Sequence, residues 1–487
     1  MQLTGRPVPS TFECIESFAL REPQRLALVQ DNQSWTYGAL YVDLVRLVRV
    51  LDSLGVKRGD CVAVGASGFQ AGLLLLLACE NLGAITVSFL HEKDPDLQDV
   101  FALADWIFSD FPQAVPGGVR FVAIDEAFVK RAAAIAIDDP RPLPRVAVAL
   151  DEPVRISRTS GSSGRSKFML LKRQAQEYTV RSGLENGGYQ ADSRLLVAGP
   201  LVMNSIFVRS SACLRVGAAV LDLSRAGLAG HDITHLFALP AFLEQILASL
   251  PAGIAPSHRR VEVQTVGGFM SPQLRERAMR AFGGRVTSRY GTNETTGLCD
   301  DMDANGVGIV SAGVDIKIVD ESGNVLPTGR LGIIAVRTPG MAEEYIGDPE
   351  ASKAAFRDGW FHTGDWGTLV RPRVLRLAGR YDDLVNAGGV KVPAAMVEAK
   401  VRELVVPKDC AVLAVNIDGG TINLGIVLVM DAKDREAVRR TIAQGLNLGA
   451  EIRARVLFLE SIPQMRNGKT DRVALHGLLE SPPAEAL

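Results

Sequence analysis

A lysine closing a run of hydroxyls and glycines carries the clearest chemistry in this chain: Arg158-Thr159-Ser160-Gly161-Ser162-Ser163-Gly164-Arg165-Ser166-Lys167. Glycine lets successive backbone N–H groups converge on one anion. The hydroxyls of Thr159, Ser160, Ser162 and Ser163 add short donors, and Lys167 adds a point charge. That combination suits a polyphosphate. The spacing is not that of a Walker loop, because no lysine directly follows the second glycine. Nor is Gly-x-Gly-x-x-Gly present. Taken alone, the stretch also fits a flexible Ser/Gly surface loop.

Four further stations follow it in the chain. Tyr290-Gly291-Thr292-Asn293-Glu294 comes after an expected strand over 285–289. A carboxylate among polar donors can hold Mg²⁺ while nucleotide phosphates supply the remaining ligands, and Tyr290 can stack on a base. Phe361-His362-Thr363-Gly364-Asp365 sets a lone carboxylate after a glycine turn, a group suited to accept from a ribose diol. Gly379-Arg380-Tyr381-Asp382, with Gly388-Gly389 beyond, has the composition of a hinge. Asn467-Gly468-Lys469 offers a cation on a loop near the C-terminus. Each of these, by itself, also fits an ordinary turn or a solvated charge.

The elements that must position these groups alternate. Short apolar strands are expected at 61–65, 84–88, 106–109, 120–124, 194–198 and 219–223, with helices at 71–82 and 240–250 between them. This predicts α/β architecture with largely parallel sheets. Beyond about residue 300 the texture changes to alternating strands at 315–319 and 332–337 joined by Gly/Pro turns, the pattern of a small β-barrel. From Arg380 a compact α+β unit is expected, with helices at 393–404 and 435–446 and strands at 411–415, 422–429 and 455–459. The domain reading is therefore 1–380 for a large N-terminal part and 381–487 for a small one.

Composition narrows the function classes. The chain has 487 residues, 47% hydrophobic and 22% charged, with formal net charge −2. No basic face for nucleic acid is evident. The six cysteines are scattered without a Cys-x-x-Cys pair, which reads as reduced, buried thiols in a cytoplasmic protein. The apolar run AGLLLLLAC at 71–79 is too short to span a membrane, and no signal peptide is expected.

In this order and spacing, the five segments resemble the motifs of the adenylate-forming superfamily, which includes acyl- and aryl-CoA synthetases and free-standing adenylation enzymes. The resemblance runs from about Thr11 to about Leu479. The hydroxyl-rich loop matches Ser/Thr-Gly-Ser/Thr-Ser/Thr-Gly-x-Pro-Lys, with Ser166 where proline is usual. Tyr290–Glu294 is similar to Tyr-Gly-x-Thr-Glu, with Asn293 in place of threonine. Thr363-Gly364-Asp365, Gly379-Arg380-x-Asp382 and Gly468-Lys469 match as they stand. The resemblance implies a large α/β domain of subdomains with a small β-barrel, followed by a small mobile α+β domain that pivots about Asp382. It implies ATP as substrate, held by Thr159, Ser160, Gly161, Ser162, Ser163, Gly164 and Lys167 at the phosphates. Gly268, Phe269, Tyr290, Gly291, Thr292 and Asn293 would surround the adenine side, and Asp365 and Arg380 the ribose. Glu294 would hold Mg²⁺ and act with Lys469 as the catalytic pair. The acceptor would be CoA or the phosphopantetheine of an acyl or peptidyl carrier protein. A nitrogen nucleophile and a non-catalytic nucleotide-binding relative are the alternatives.

The acid is read from Gly199-Pro200-Leu201-Val202-Met203-Asn204-Ser205-Ile206-Phe207-Val208-Arg209. Met203 replaces a histidine common in relatives. The aspartate that binds an α-ammonium in amino-acid-activating members is absent. Asn204 corresponds to an asparagine used by aryl-acid activators. The expected substrate is a small carboxylic acid, an aryl acid by preference, contacted by Asn204, Phe207, Arg209, Gly267 and Gly291. Arg209 fits a polar substituent in the pocket or a structural ion pair. Lys469→Ala should lower ATP–pyrophosphate exchange at least ~100-fold, the scale of one lost preorganised donor, while sparing thioester formation from a supplied acyl-adenylate. Undiminished exchange would remove Lys469 from the adenylation step.

Overall fold

The computed structural model describes residues 8–90, 94–111, 114–137, 141–159, 166–223, 231–250, 260–268, 270–380, 384–387, 390–417, 421–431, 434–446, 454–463 and 470–480. Two sheets organise the first 380 residues. A six-stranded sheet runs Arg120–Ala123, Trp106–Ser109, Cys61–Gly65, Ile85–Ser88, Pro153–Thr159, Lys167–Lys172. Its strands are parallel except the last, which returns antiparallel beside Pro153–Thr159 with Thr159 opposite Lys167. The two ends of the expected polyphosphate segment, Thr159 and Lys167, are therefore cross-strand neighbours.

The larger sheet contains fourteen strands. Leu26–Gln30, Ala219–Asp222, Arg194–Ala198, His235–Ala238, Val261–Val266 and Gly283–Thr292 pair in parallel. Beyond Gly283–Thr292 the pairing turns antiparallel through Thr296–Asp300, Val307–Val310, Val374–Arg380, Trp360–Arg371, Gly332–Arg337 and Asp315–Val319. This antiparallel run is the segment expected as a small barrel. Among the described residues its hydrogen bonding follows an open path ending on Asp315–Val319.

One apolar cluster joins both sheets to the helices Thr11–Arg21, Tyr37–Leu54, Phe69–Asn81 and Asn204–Arg215. Phe69–Asn81 is apolar on every face and buried from Gly72 to Glu80, as a helix enclosed by other elements must be. Its one charged residue inside that span, Glu80, accepts from Arg155 at 2.6 Å and from Gln176 at 3.0 Å. The charge taken into the core is thereby paired and hydrogen-bonded, which a buried carboxylate requires.

After residue 384 the chain builds its own cores. Strands Asp409–Ile417, Thr421–Val429 and Ala454–Leu459 form a three-stranded sheet, antiparallel then parallel. Helices Ala394–Val405 and Arg435–Gly445 pack on one face and Arg472–Glu480 on the other. All six cysteines are free. No described helix is long and apolar enough to cross a membrane.

Candidate active site

Strand Gly283–Thr292 is where the large sheet changes from parallel to antiparallel pairing. Ligands of open α/β sheets bind in the crevice at the carboxyl ends of strands where the winding changes. Tyr290, Gly291, Thr292, Asn293 and Glu294 stand at that end. The turn back into Thr296–Asp300 is tight: a Cβ on Gly291 would lie 2.2 Å from the Thr296 carbonyl oxygen, so only glycine fits.

The antiparallel extension brings Asp365 to the same place. Asp365 on Trp360–Arg371 lies directly opposite Arg380 on Val374–Arg380. Arg380 Nη1 donates to Asp365 Oδ1 at 3.3 Å, and the Tyr290 hydroxyl donates to Oδ2 at 2.5 Å. Gly364, at φ 70°, makes the left-handed turn before it, and the Asp365 N–H donates to Thr363 Oγ1 at 3.1 Å. Burial pushes the Asp365 carboxyl above the usual carboxylate range. Arg380 and Tyr290 pull it down, and the Glu294 charge adds to the rise. Burial, followed by the charge and hydrogen bond of Asp365, holds the Tyr290 phenol well above its ordinary range. Tyr290 thus remains a donor.

Glu294 is buried, and its Oε1 accepts from the Tyr345 hydroxyl at 2.8 Å. Its backbone carbonyl accepts from the Ala342 N–H at 2.7 Å. Lys167 Nζ sits 4.9 Å from the centroid of the same Tyr345 ring, within cation–π range. Tyr345 therefore links the carboxylate and the lysine that the sequence placed far apart. Sequence reasoning missed it. An aromatic in the connection between Gly332–Arg337 and Pro349–Ala355 has no spacing that ties it to Glu294. The residue is locked into the fold by an isolated bridge to Met169.

Among the described residues, Glu294 Oε1 is the only carboxylate oxygen of that side chain with a hydrogen-bond partner. One buried carboxylate with an unengaged oxygen, beside a lysine suited to phosphate, fits Mg²⁺ that takes its other ligands from water and phosphate. Among the described residues no group of three or more His, Cys, Asp or Glu side chains could hold a metal by itself.

The other expected site residues are placed as follows. Thr159 and Lys167 are the paired feet of the loop. Thr292 Oγ1 lies 3.0 Å from Thr295 Oγ1. Asn293 Nδ2 donates to the Arg158 carbonyl at 2.9 Å, tying the Glu294 segment to the strand that enters the loop. Gly267, at φ 78°, and Gly268 follow Val261–Val266 and back onto Leu239 and Pro240. Asn204 opens helix Asn204–Arg215 and is partly exposed.

Phe207 and Arg209 are both buried. The helix is buried from Ile206 to Leu214. Phe207 is 1% exposed with the Arg155 guanidinium 3.5 Å from its ring centroid. Arg209 is 3% exposed, donates to the Gly183 carbonyl and lies 4.9 Å from the Phe237 ring centroid. Burial lowers its guanidinium to about 10. Both belong to the packing behind the helix.

Ser160, Gly161, Ser162, Ser163, Gly164, Phe269, Asp382 and Lys469 lie outside the described residues. The flanks of Lys469 are described. The Asp471 N–H donates to the Pro463 carbonyl at 2.8 Å, and Asp471 Oδ1 accepts from the Ala474 N–H at 2.9 Å, capping helix Arg472–Glu480.

The fold and this arrangement of residues define an adenylate-forming enzyme, an AMP-forming acid ligase. The chain belongs to the family described as "AMP-binding enzyme", whose model matches residues 15–346. It is 25% identical over 501 residues to indoleacetate–CoA ligase of Aromatoleum aromaticum, covering 94% of this chain and 96% of that one. It is 26% identical over 532 residues to a salicylyl-CoA synthase / salicylate adenylyltransferase of a Streptomyces species, covering 98% and 94%. In fold it is similar to ATP-bound MatB of Rhodopseudomonas palustris, with a TM-score of 0.84 at 22% identity over 97% of this chain and 99% of that one.

Tyr345→Phe removes the hydroxyl from Glu294 but keeps the ring beside Lys167. Its kcat/KM for ATP should fall about tenfold, the scale of one hydrogen bond to a charged group. Steady-state pyrophosphate release measures this, and wild-type kinetics in the variant would deny Tyr345 that role.

Proposed function

We propose that the protein activates a small carboxylic acid, an aryl acid by preference, as its acyl-adenylate. A carboxylate oxygen attacks the α-phosphorus of ATP, the bond to the β-phosphate oxygen breaks, and pyrophosphate leaves. A thiol of CoA, or of a carrier protein's phosphopantetheine, then attacks the acyl carbon and releases AMP. The observation that carries this reading is the convergence of Glu294, Tyr290, Asp365 and Arg380 at the carboxyl end of Gly283–Thr292, with Lys167 joined to them through Tyr345.

The first step drives one anion against another, so catalysis rests on donors and cations aimed at the charge that moves. In this reading the Thr159–Lys167 segment grips the leaving pyrophosphate, with Lys167 as its point charge. Asp365 accepts from the ribose hydroxyls, and Arg380, the more exposed partner of that pair, reaches the nucleotide from the facing strand. Glu294 holds Mg²⁺, which would neutralise phosphate charge. Lys469, carried by the small C-terminal unit, meets the incoming carboxylate and the α-phosphate, and that unit pivots near Asp382 between the two steps. Asn204 faces the acid.

Two relatives named for aromatic acids support the aryl preference. Pyrophosphate release should be measured over a panel of benzoates, arylacetates, cinnamates and short aliphatic acids, each with and without CoA. Aryl acids should give acid-dependent release, and CoA should raise turnover. Release with aliphatic acids alone would overturn the preference. ATP binding without release for any acid would overturn the enzymatic reading.

A further inference from the structure

Two of the positions where this chain departs from its family's motif residues are joined by one hydrogen-bond network through Arg158. Ser166 stands where proline is usual, and Asn293 where threonine is usual. Ser166 Oγ donates to Asp96 Oδ2 at 2.6 Å. Asn293 Nδ2 donates to the carbonyl of Arg158 at 2.9 Å. Arg158 in turn donates through Nη1 to Asp94 Oδ1 at 2.7 Å and Asp96 Oδ2 at 2.9 Å, and through Nη2 to Asp94 Oδ2 at 2.6 Å. One carboxylate oxygen, Asp96 Oδ2, thus receives both the residue that enters the polyphosphate loop and the residue that leaves it.

The carboxylates are committed to this task. Asp96 occupies the N-cap position of helix Leu97–Ala102 yet makes no side-chain cap to it, although capping is the usual use of aspartate there. Asp94 is 5% exposed and also accepts from the N–H groups of Leu90 and Asp96 at 2.8 and 3.1 Å. Burial would raise its carboxyl, but the hydrogen bonds and charge of Arg158, with those two N–H groups, hold it below its ordinary value. Arg158 is consequently paired with both carboxylates. An arginine one residue before a phosphate loop would otherwise be read as a phosphate ligand, but here both its Nη atoms face carboxylates.

We propose that Asp96, with Asp94 behind it, is a positioning residue for the polyphosphate arm of ATP. It fixes the distance between the feet of the loop, taking over through Arg158 and Ser166 the stiffening that a proline gives by its ring. Asn293 extends the same brace to the segment bearing Glu294, so the phosphate grip and the metal carboxylate are set against one another. The inference rests on reading Thr159–Lys167 as the phosphate-binding segment.

AMP lacks the β- and γ-phosphates, so it separates this role from general structure. Titration calorimetry should show Asp96→Asn binding MgATP about tenfold more weakly, the scale of losing a charge-assisted hydrogen-bond partner, with AMP affinity within about twofold of wild type. Ser166→Ala, which removes only one hydroxyl, should weaken MgATP about fivefold, and Ser166→Thr should restore it. In turnover, KM for ATP should rise while KM for the acid stays constant. A parallel loss of MgATP and AMP affinity, or no loss of either, overturns the proposal, as does a wild-type protein that binds MgATP no more tightly than AMP. Wild-type protein that releases no pyrophosphate with any acid contradicts the activity assigned above but leaves this nucleotide comparison intact.

Discussion

Two buried carboxylates, each fixed by a tyrosine hydroxyl, set the terms of this site. Glu294 is held by Tyr345 and Asp365 by Tyr290. The two acids are close enough that the charge of Glu294 raises Asp365. A site meant for a polyanion cannot simply add negative charge. A phenol solves part of this problem: it orients the carboxylate without neutralising it, and burial keeps the phenol protonated. Lys167 lies over the face of the Tyr345 ring, and Arg380 donates to Asp365 from the facing strand.

That geometry explains why the sheet is built as it is. The parallel part delivers Tyr290 and Glu294 at a carboxyl end. The antiparallel extension folds back to deliver Asp365 and Arg380 as cross-strand partners. The six-stranded sheet delivers Thr159 and Lys167 at its edge, and Asn293 spans the gap between the sheets through the Arg158 carbonyl. Tyr290, Asp365, Arg380, Thr159 and Lys167 come from strands and Glu294 from the tight turn after one, and connecting segments are secured at their ends, as Asp96 secures 158 and 166 and the Asp471–Pro463 hydrogen bond secures the ends of the segment containing Lys469.

Much of this was legible in the residues. Strands 61–65, 106–109, 194–198, 315–319 and 332–337 begin and end as their apolar patterns predict. The helix expected over 71–82 begins two residues earlier, at Phe69, because Gly68 can occupy the N-cap without a side chain. The pairing of Asp365 with Arg380 follows from two motifs on adjacent strands of one hairpin. What escaped notice depends on contacts between distant residues. Tyr345 reaches Glu294 across 51 positions, and Ser166 reaches Asp96 across 70; no local period encodes either. Phe207 and Arg209 show the limit of local spacing. Helical spacing gives their angular position but cannot say whether that side of the helix meets a pocket or more protein. Here all of it meets protein.

The central claim is that the substrate's carboxylate becomes bonded to the α-phosphorus of ATP. Supplying the preferred acid with oxygen-18 in both carboxylate positions, together with CoA and MgATP, tests that bond directly by mass spectrometry of the nucleotide product. Attack at the α-phosphorus followed by thiol attack at the acyl carbon leaves one labelled oxygen on AMP. Unlabelled AMP, or ADP in its place, would contradict the account.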